Sequence, residues 1–302
     1  MSTEIKGYRL TRELSNENAG MCQWGFAEKD GHEYFIKQFL KPKYPGDDGK
    51  LSPALAQRMR EAAESAYRRR KVFYDRLREC RAGNNVVVEE YFRFGNFYYA
   101  VTDRVRGPYL SVEEISALSE EKKRVLLRAI LFSVTQFHEK GIVHADLKPD
   151  NIMVRRTSAG YCTAKIIDFD SGYFSYDPPE EIIGDQVYFS PEALLHNMGR
   201  EIAVTEKADI FALGLLFHLY WTGSLPGFDR QKHRYANEAL LEGERLELDS
   251  SIPGDVRAVL EQMLALRPDD RPDARSAWEA LAGDAMLAQK ARFRPPSDDD
   301  LY

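Results

Sequence analysis

The stretch IVHADLKPDNIMVR, residues 142–155, decides how this sequence is read. Two short apolar runs, Ile142-Val143 and Ile152–Val154, bracket a loop that carries His144, Asp146, Lys148, Asp150 and Asn151. A second stretch, TAKIIDFDSG at 163–172, again runs from apolar residues into a polar turn, Asp168-Phe169-Asp170. Apolar runs of this length bounded by turn residues suit short buried strands. Polar loops hung on such strands are either solvated surface or the seat of chemistry.

Upstream, the chain is strand-rich. Tyr8–Leu14, Cys22–Asp30 and His32–Phe39 are strand candidates, with Asp30-Gly31 as a hairpin turn between the last two. Val86–Phe94 and Phe97–Val105, joined at Gly95-Asn96, are two more. Between the two groups lie a loop rich in Gly and Pro, Lys41–Pro53, and a helical pattern from Ala54 to Cys80. That pattern repeats through Leu55, Met59, Ala62, Ala66, Phe73 and Leu77. Downstream of Gly107-Pro108, helical patterns cover Ser119–Lys140, Pro191–Asn197, Lys207–Trp221, Tyr235–Glu242, Gly254–Ala265 and Ala274–Leu281. Five strands and one helix followed by a mostly helical half predict an α+β fold of two lobes, residues 1–105 and 106–283, with a cleft at 103–108. The segment 284–302 reads as an acidic disordered tail, being short of core residues.

Composition narrows the function. With 43% hydrophobic and 30% charged residues over 302 positions, the chain can bury a sizeable core. Its 42 Lys+Arg against 48 Asp+Glu, net −6, disfavour a basic nucleic-acid binder. Cys22, Cys80 and Cys162 form no CxxC pair, so neither a zinc site nor a disulfide framework is expected. The N-terminal MSTEIKGYRLTREL has no secretory apolar region. The longest apolar stretch, Ile210–Trp221, is too short for a bilayer and reads as a buried helix. A cytoplasmic protein with neither membrane nor nucleic-acid partner is expected.

His144-Ala145-Asp146-Leu147-Lys148-Pro149-Asp150-Asn151 resembles the catalytic loop H-R-D-x-K-P-x-N of eukaryotic-like (Hanks-type) protein kinases. Asp168-Phe169-Asp170 looks like D-F-G and Ser190-Pro191-Glu192 like A-P-E. Asp209–Gly214 looks like the start of the family's central helix, and Arg271-Pro272 like its late arginine. The motifs keep the family's order over Tyr8 to Leu281, and an ordered set is far more specific than any one of them. The resemblance implies a bilobal fold, with a five-stranded antiparallel sheet plus helix in the first lobe and a mainly helical second lobe. It also implies transfer of the γ-phosphate of ATP to Ser/Thr hydroxyls of protein substrates, with Mg²⁺, or alternatively Mn²⁺. Asp146 then orients the acceptor hydroxyl and Lys148 reaches the transferring phosphate, while Asn151 and Asp168 offer oxygens to the metal. Lys37 matches the nucleotide-positioning lysine, with a glutamate of the long helix, Glu64 in preference to Glu61, as its partner. Gly20, Cys22, Phe35, Thr102, Asp103, Val105 and Met153 would surround the nucleotide, and Glu192 and Arg271 would form a structural ion pair.

Several positions depart from the family pattern. Of three loop glycines only Gly20 remains, with Ser15 and Glu17 in place of the others. Phe35 replaces a small residue against the adenine, where Thr102 and Gly25 would return space. Ala145 replaces the arginine that pairs with an activation-segment phosphate, so activity should not depend on phosphorylation of 168–192. Asp170 replaces a glycine, and Asp185 replaces the Thr of Ser/Thr-directed members. FIKQFLKPKYP and DFDSGYF point to a bacterial branch, with a cognate phosphatase as partner. A pseudokinase scaffold with Phe35 filling the pocket is the alternative. A small-molecule phosphotransferase is disfavoured by the long segment from Asp168 to Glu192.

Overall fold

Asp30 and Gly31 both adopt left-handed backbone, φ 52° and 78°, the geometry a two-residue hairpin requires. The computed structural model, which describes residues 3–17, 20, 22–46, 51–81, 84–157 and 160–282, builds its first unit around that turn. Asn18, Ala19 and Met21 of the glycine-poor loop and the tail 284–302 lie outside the described residues. The chain divides into two compact units, Met1–Pro108 and Tyr109–Tyr302.

In the first unit the strands are β1 (Glu4–Ile5), β2 (Tyr8–Leu10), β3 (Cys22–Lys29), β4 (His32–Phe39), β5 (Val88–Phe94) and β6 (Phe97–Asp103). They form one antiparallel sheet in the order β1-β2-β3-β4-β6-β5. This is one strand more than the sequence pattern suggests, because Lys6-Gly7 turns Glu4–Ile5 back onto Tyr8–Arg9. The first candidate strand also ends early. Its ladder breaks after Thr11 N–H meets the Phe26 carbonyl and resumes only as a bridge from Ser15 to Trp24.

Directly paired residues share a face, and the faces alternate along each strand. One face buries Ile5, Tyr8, Leu10, Ala27, Ile36, Phe92, Tyr99 and Val101 as a core. The other carries Trp24, Phe26, Phe35, Lys37, Phe39, Tyr98 and Ala100. Gly25 pairs with Ile36 on the first face, and a Cβ there would meet Leu14 Cδ2 at 3.0 Å. Contrary to the sequence expectation, Gly25 therefore yields no room beside Phe35.

The long helix α1 runs Pro53–Arg78, started by Ser52, whose hydroxyl accepts from Leu55 N–H, and by Pro53 at its first position. It docks on the Lys37 face through tyrosines. Tyr67 stacks on Tyr91 at 5.2 Å and on Tyr98 at 5.3 Å, and Tyr74 meets Tyr91 edge-on.

The second unit is built from α2 (Val112–Ser116), α3 (Glu120–His138), α4 (Pro191–Asn197), α5 (Lys207–Thr222), α6 (Ala236–Leu241), α7 (Gly254–Met263) and α8 (Ala274–Ala280). It also holds the short strands β7 (Ile142–Val143), β8 (Ile152–Arg156), β9 (Cys162–Ile166) and β10 (Tyr173–Phe174), paired β7 with β10 and β8 with β9. The sequence pattern missed α2. It is too short for periodicity and is announced only by its capping box, Ser111 with Glu114. Helix α5 is buried almost all round and stops at Gly223, φ 83°, which is why its sequence shows no polar stripe. Among the described residues no helix is long and apolar enough to cross a membrane.

Candidate active site

The loop between β7 and β8 is fixed from beneath by the first turn of α5. Asp209, 1% exposed, accepts from His144 N–H at 2.7 Å and from Ala145 N–H at 3.0 Å, and its Oδ2 also meets His138 Nε2 at 3.0 Å. Those two bonds hold Ala145 in a left-handed conformation, φ 67°. His144 is fully buried against Phe169, ring centroids 4.6 Å apart. Its Nδ1 accepts from Asp146 N–H, so Nε2 carries the proton it gives to the Ile167 carbonyl at 2.9 Å.

On that base Asp146 is surrounded by donors. Lys148 Nζ lies 2.9 Å from Oδ2 and 3.1 Å from Oδ1. Asn151 Nδ2 donates to Oδ2 at 2.9 Å and to the Asp146 carbonyl at 2.7 Å. Asp185 N–H donates to Oδ1 at 2.8 Å. The Asp146 side chain nevertheless stays 14% exposed, so a small polar group can still approach it. With Nδ2 of Asn151 committed, Oδ1 is the atom left for a cation. Asp168, φ 63°, starts the 3₁₀ turn Phe169–Ser171. An asparagine oxygen and a carboxylate are hard donors that fit Mg²⁺ or Mn²⁺. Among the described residues no cluster of three or more His, Cys, Asp or Glu is poised on a metal, so phosphate and water oxygens would complete the shell. Asp170 sits inside that turn without a positive φ, so the missing glycine costs no backbone strain.

The segment 168–198 has its own supports. Glu192 and Arg271, 1% and 0% exposed, pair through bonds of 2.7 and 2.9 Å. Arg271 spends its remaining N–H groups on the carbonyls of Ala265, Leu266 and Lys207. Asn237 Nδ2 holds the Phe189 carbonyl at 2.9 Å, and Asn197 pairs with both backbone groups of Ile182. Burial first, then the charges of Asp185 and Asp150, push the Tyr188 phenol up to about 12. The segment contains Asp168, Asp170, Asp177, Glu180, Glu181, Asp185 and Glu192 and neither Lys nor Arg.

In the first unit Lys37 stands opposite Trp24 and Ala100, and Phe35 opposite Phe26 and Thr102. Trp24, Phe26 and Phe35 form one cluster, with centroids 5.7–5.9 Å apart. The Arg104 guanidinium lies 4.0 Å from the Phe26 ring. Trp24 Nε1 donates to the Glu17 carbonyl at 2.9 Å and so ties the glycine-poor loop to the sheet, an anchor the sequence pattern did not signal. Cys22 is buried opposite Phe39, and Gly20 has φ 55°. Asp103 ends β6 exposed and Val105 follows half-buried, while Met153 is half-buried on β8. The expected partnership of Lys37 with a helix glutamate is not formed. Glu61 accepts from Gln57 Nε2 at 2.7 Å. The Glu64 carboxylate has no hydrogen bond or ion pair among the described residues, while one turn along the same helix Tyr67 stacks on Tyr98.

A sequence model of the protein kinase domain matches residues 64–281. The match begins within α1, so Lys37 and the glycine-poor loop fall outside it. The chain is 30% identical over 205 residues to the ovarian-specific serine/threonine-protein kinase Lok of Drosophila melanogaster, covering 64% of this chain and 42% of Lok. It is 26% identical over 298 residues to calcium-dependent protein kinase 27 of Arabidopsis thaliana, covering 96% of this chain. It spans 56% of that relative's length. The solved structure of the Cydia pomonella granulovirus kinase PK-1 matches with a TM-score of 0.65 at 16% identity, over 93% of this chain and 95% of that one. That last likeness speaks for the fold alone.

Proposed function

The chain belongs to the protein kinase domain family, and on that premise we propose that it transfers the γ-phosphate of ATP to Ser or Thr hydroxyls of protein substrates. One observation carries the reading: the Asp146 side chain stays partly exposed while Lys148, Asn151 and the Asp185 N–H fix its orientation. A carboxylate so held can take the proton of an incoming hydroxyl, and the Lys148 ammonium beside it meets the negative charge of the group in flight. Mg²⁺, with Mn²⁺ as the alternative, supplies neutralisation of the phosphate oxygens; Asn151 Oδ1 and the Asp168 carboxylate would hold it. Lys37 serves the nucleotide from β4. A binding-only scaffold has no need of this arrangement and is not favoured. Ala145 leaves no guanidinium beside Asp146 for a segment phosphate, which supports activity without loop phosphorylation. The finer attributes rest on sequence alone: the bacterial branch on FIKQFLKPKYP and DFDSGYF, and a cognate phosphatase on the same branch.

The test is labelled ATP with Mg²⁺ or Mn²⁺, with and without a generic protein substrate. Asp146→Asn should lose about a thousandfold or more in turnover, ~4 kcal/mol in the barrier, while melting at the wild-type temperature. Wild-type turnover in that variant, or no transfer by the parent to any acceptor, overturns the reading.

A further inference from the structure

Tyr98 is fully buried, and its hydroxyl has no hydrogen-bond partner among the described residues. Leaving a buried donor unmade is costly, and a phenylalanine would fill the same slot without that cost. The surroundings identify what the hydroxyl serves. Tyr98 stands opposite Phe39, and two residues on Ala100 stands opposite Lys37, so Tyr98 and Lys37 share a face of the sheet. Helix α1 covers that face with Tyr67 stacked on the Tyr98 ring. Glu64 lies three residues before Tyr67, hence on the same side of the helix one turn away. It is half-buried, and its carboxylate makes no hydrogen bond or ion pair among the described residues. A donor without an acceptor and an acceptor without a donor thus occupy the two facing surfaces, sheet and helix. Burial, and next the charge of Glu64, hold the Tyr98 phenol above its ordinary pKa, as expected of neighbours.

We propose that Tyr98 is a positioning residue for Glu64: with nucleotide bound, its hydroxyl donates to one carboxylate oxygen and turns the other toward the Lys37 ammonium. The role rests on the kinase reading, in which a helix glutamate steadies the nucleotide-positioning lysine. The orphaned hydroxyl is then retained because the bound state uses it.

Tyr98→Phe separates this role from mere packing. A packing leftover predicts a variant of equal or higher melting temperature and unchanged kinetics. The positioning role predicts the same stability together with a KM for ATP raised about fivefold or more and an unchanged KM for the protein acceptor. A second readout needs no turnover. The ¹³C-carboxyl resonance of Glu64, assigned through Glu64→Gln, is followed at fixed pH with Mg²⁺ and a non-hydrolysable ATP analogue. Loss of the phenol donor in Tyr98→Phe should shift that resonance. Reciprocally, Glu64→Gln should lower the Tyr98 pKa, which the Glu64 charge helps to raise. An unmoved Glu64 resonance in Tyr98→Phe, or an unmoved Tyr98 titration in Glu64→Gln, overturns the proposal. Failure of phosphotransfer in the parent would instead strike the kinase reading and leave these spectra to decide this one.

Discussion

Gly184 decides the active-site geometry by what it lacks. A Cβ there would stand 2.5 Å from the Ala145 carbonyl oxygen, 2.9 Å from Phe189 Cε1 and 3.4 Å from Asp146 Oδ1. The first neighbour is backbone already held in a left-handed conformation by Asp209, so it has nowhere to yield. Gly184→Ala should therefore cost about 1–3 kcal/mol in denaturant unfolding and reduce turnover about tenfold or more by displacing Asp146. A variant with wild-type unfolding and turnover would mean the clash relaxes harmlessly. At this scale the sequence spoke clearly about chemistry and little about clearance. Asp146, Lys148 and Asn151 were legible because phosphoryl transfer needs those polar groups at that spacing, and the fold does bring them together. Gly184, Trp24 and Tyr98 carry no such pattern, since their roles depend on which backbone or ring lies opposite. Glu64 was legible by residue type, yet the sequence did not signal that its carboxylate makes no hydrogen bond or ion pair among the described residues, since that depends on which groups face it across the sheet.

Among the elements, α4 is tied down by an ion pair cut off from water. Arg271→Met would leave Glu192 charged at 1% exposure and should destabilise the protein by about 3–5 kcal/mol, read as a shift of the urea midpoint. Adding Glu192→Leu should recover a large part, whereas equal loss in the double variant would point to packing as the cause. Helix α5 holds a titrating device of its own. His218, 2% exposed, donates through Nδ1 to the Ser224 carbonyl at 2.7 Å and accepts at Nε2 from Asp249 N–H at 3.0 Å. That pattern requires the neutral ring, and burial lowers its pKa from the ordinary 6.5. The folded state binds the proton less readily than the unfolded chain. Stability is thus full above about pH 6.5 and declines as pH falls toward the folded value. His218→Gln should flatten that acid slope in unfolding free energy measured from pH 7 to 5; an unchanged slope would assign it to carboxylates. Long periodic helices such as α1 and α3 were legible to within two or three residues, since apolar spacing and caps fix them. Short α2 and β1 were not, because two to five residues carry too little periodicity.

For the molecule as a whole, the ordered motifs made the family and the α+β fold readable before any coordinate. What each glycine substitution does to the nucleotide loop was not readable, because that depends on the Trp24 anchor. Charge placement reaches furthest toward a partner. The segment 168–198 has no cation of its own, and Arg271 neutralises only Glu192. A polypeptide that lies along this segment therefore meets predominantly negative charge, with Lys148 the cation beside Asp146 itself. Fields of this kind act on encounter and fade over a Debye length of roughly 8 Å at physiological salt. Acceptors flanked by Lys or Arg should accordingly show a KM that climbs about tenfold between 20 mM and 300 mM NaCl at constant kcat, and acidic acceptors the reverse. Identical salt profiles for the two peptide classes would remove charge from the selection of acceptors. If the profiles diverge, the ionic milieu itself becomes a throttle: dilution of the surrounding electrolyte would widen the range over which this surface captures basic chains, with no residue moving and no modification made.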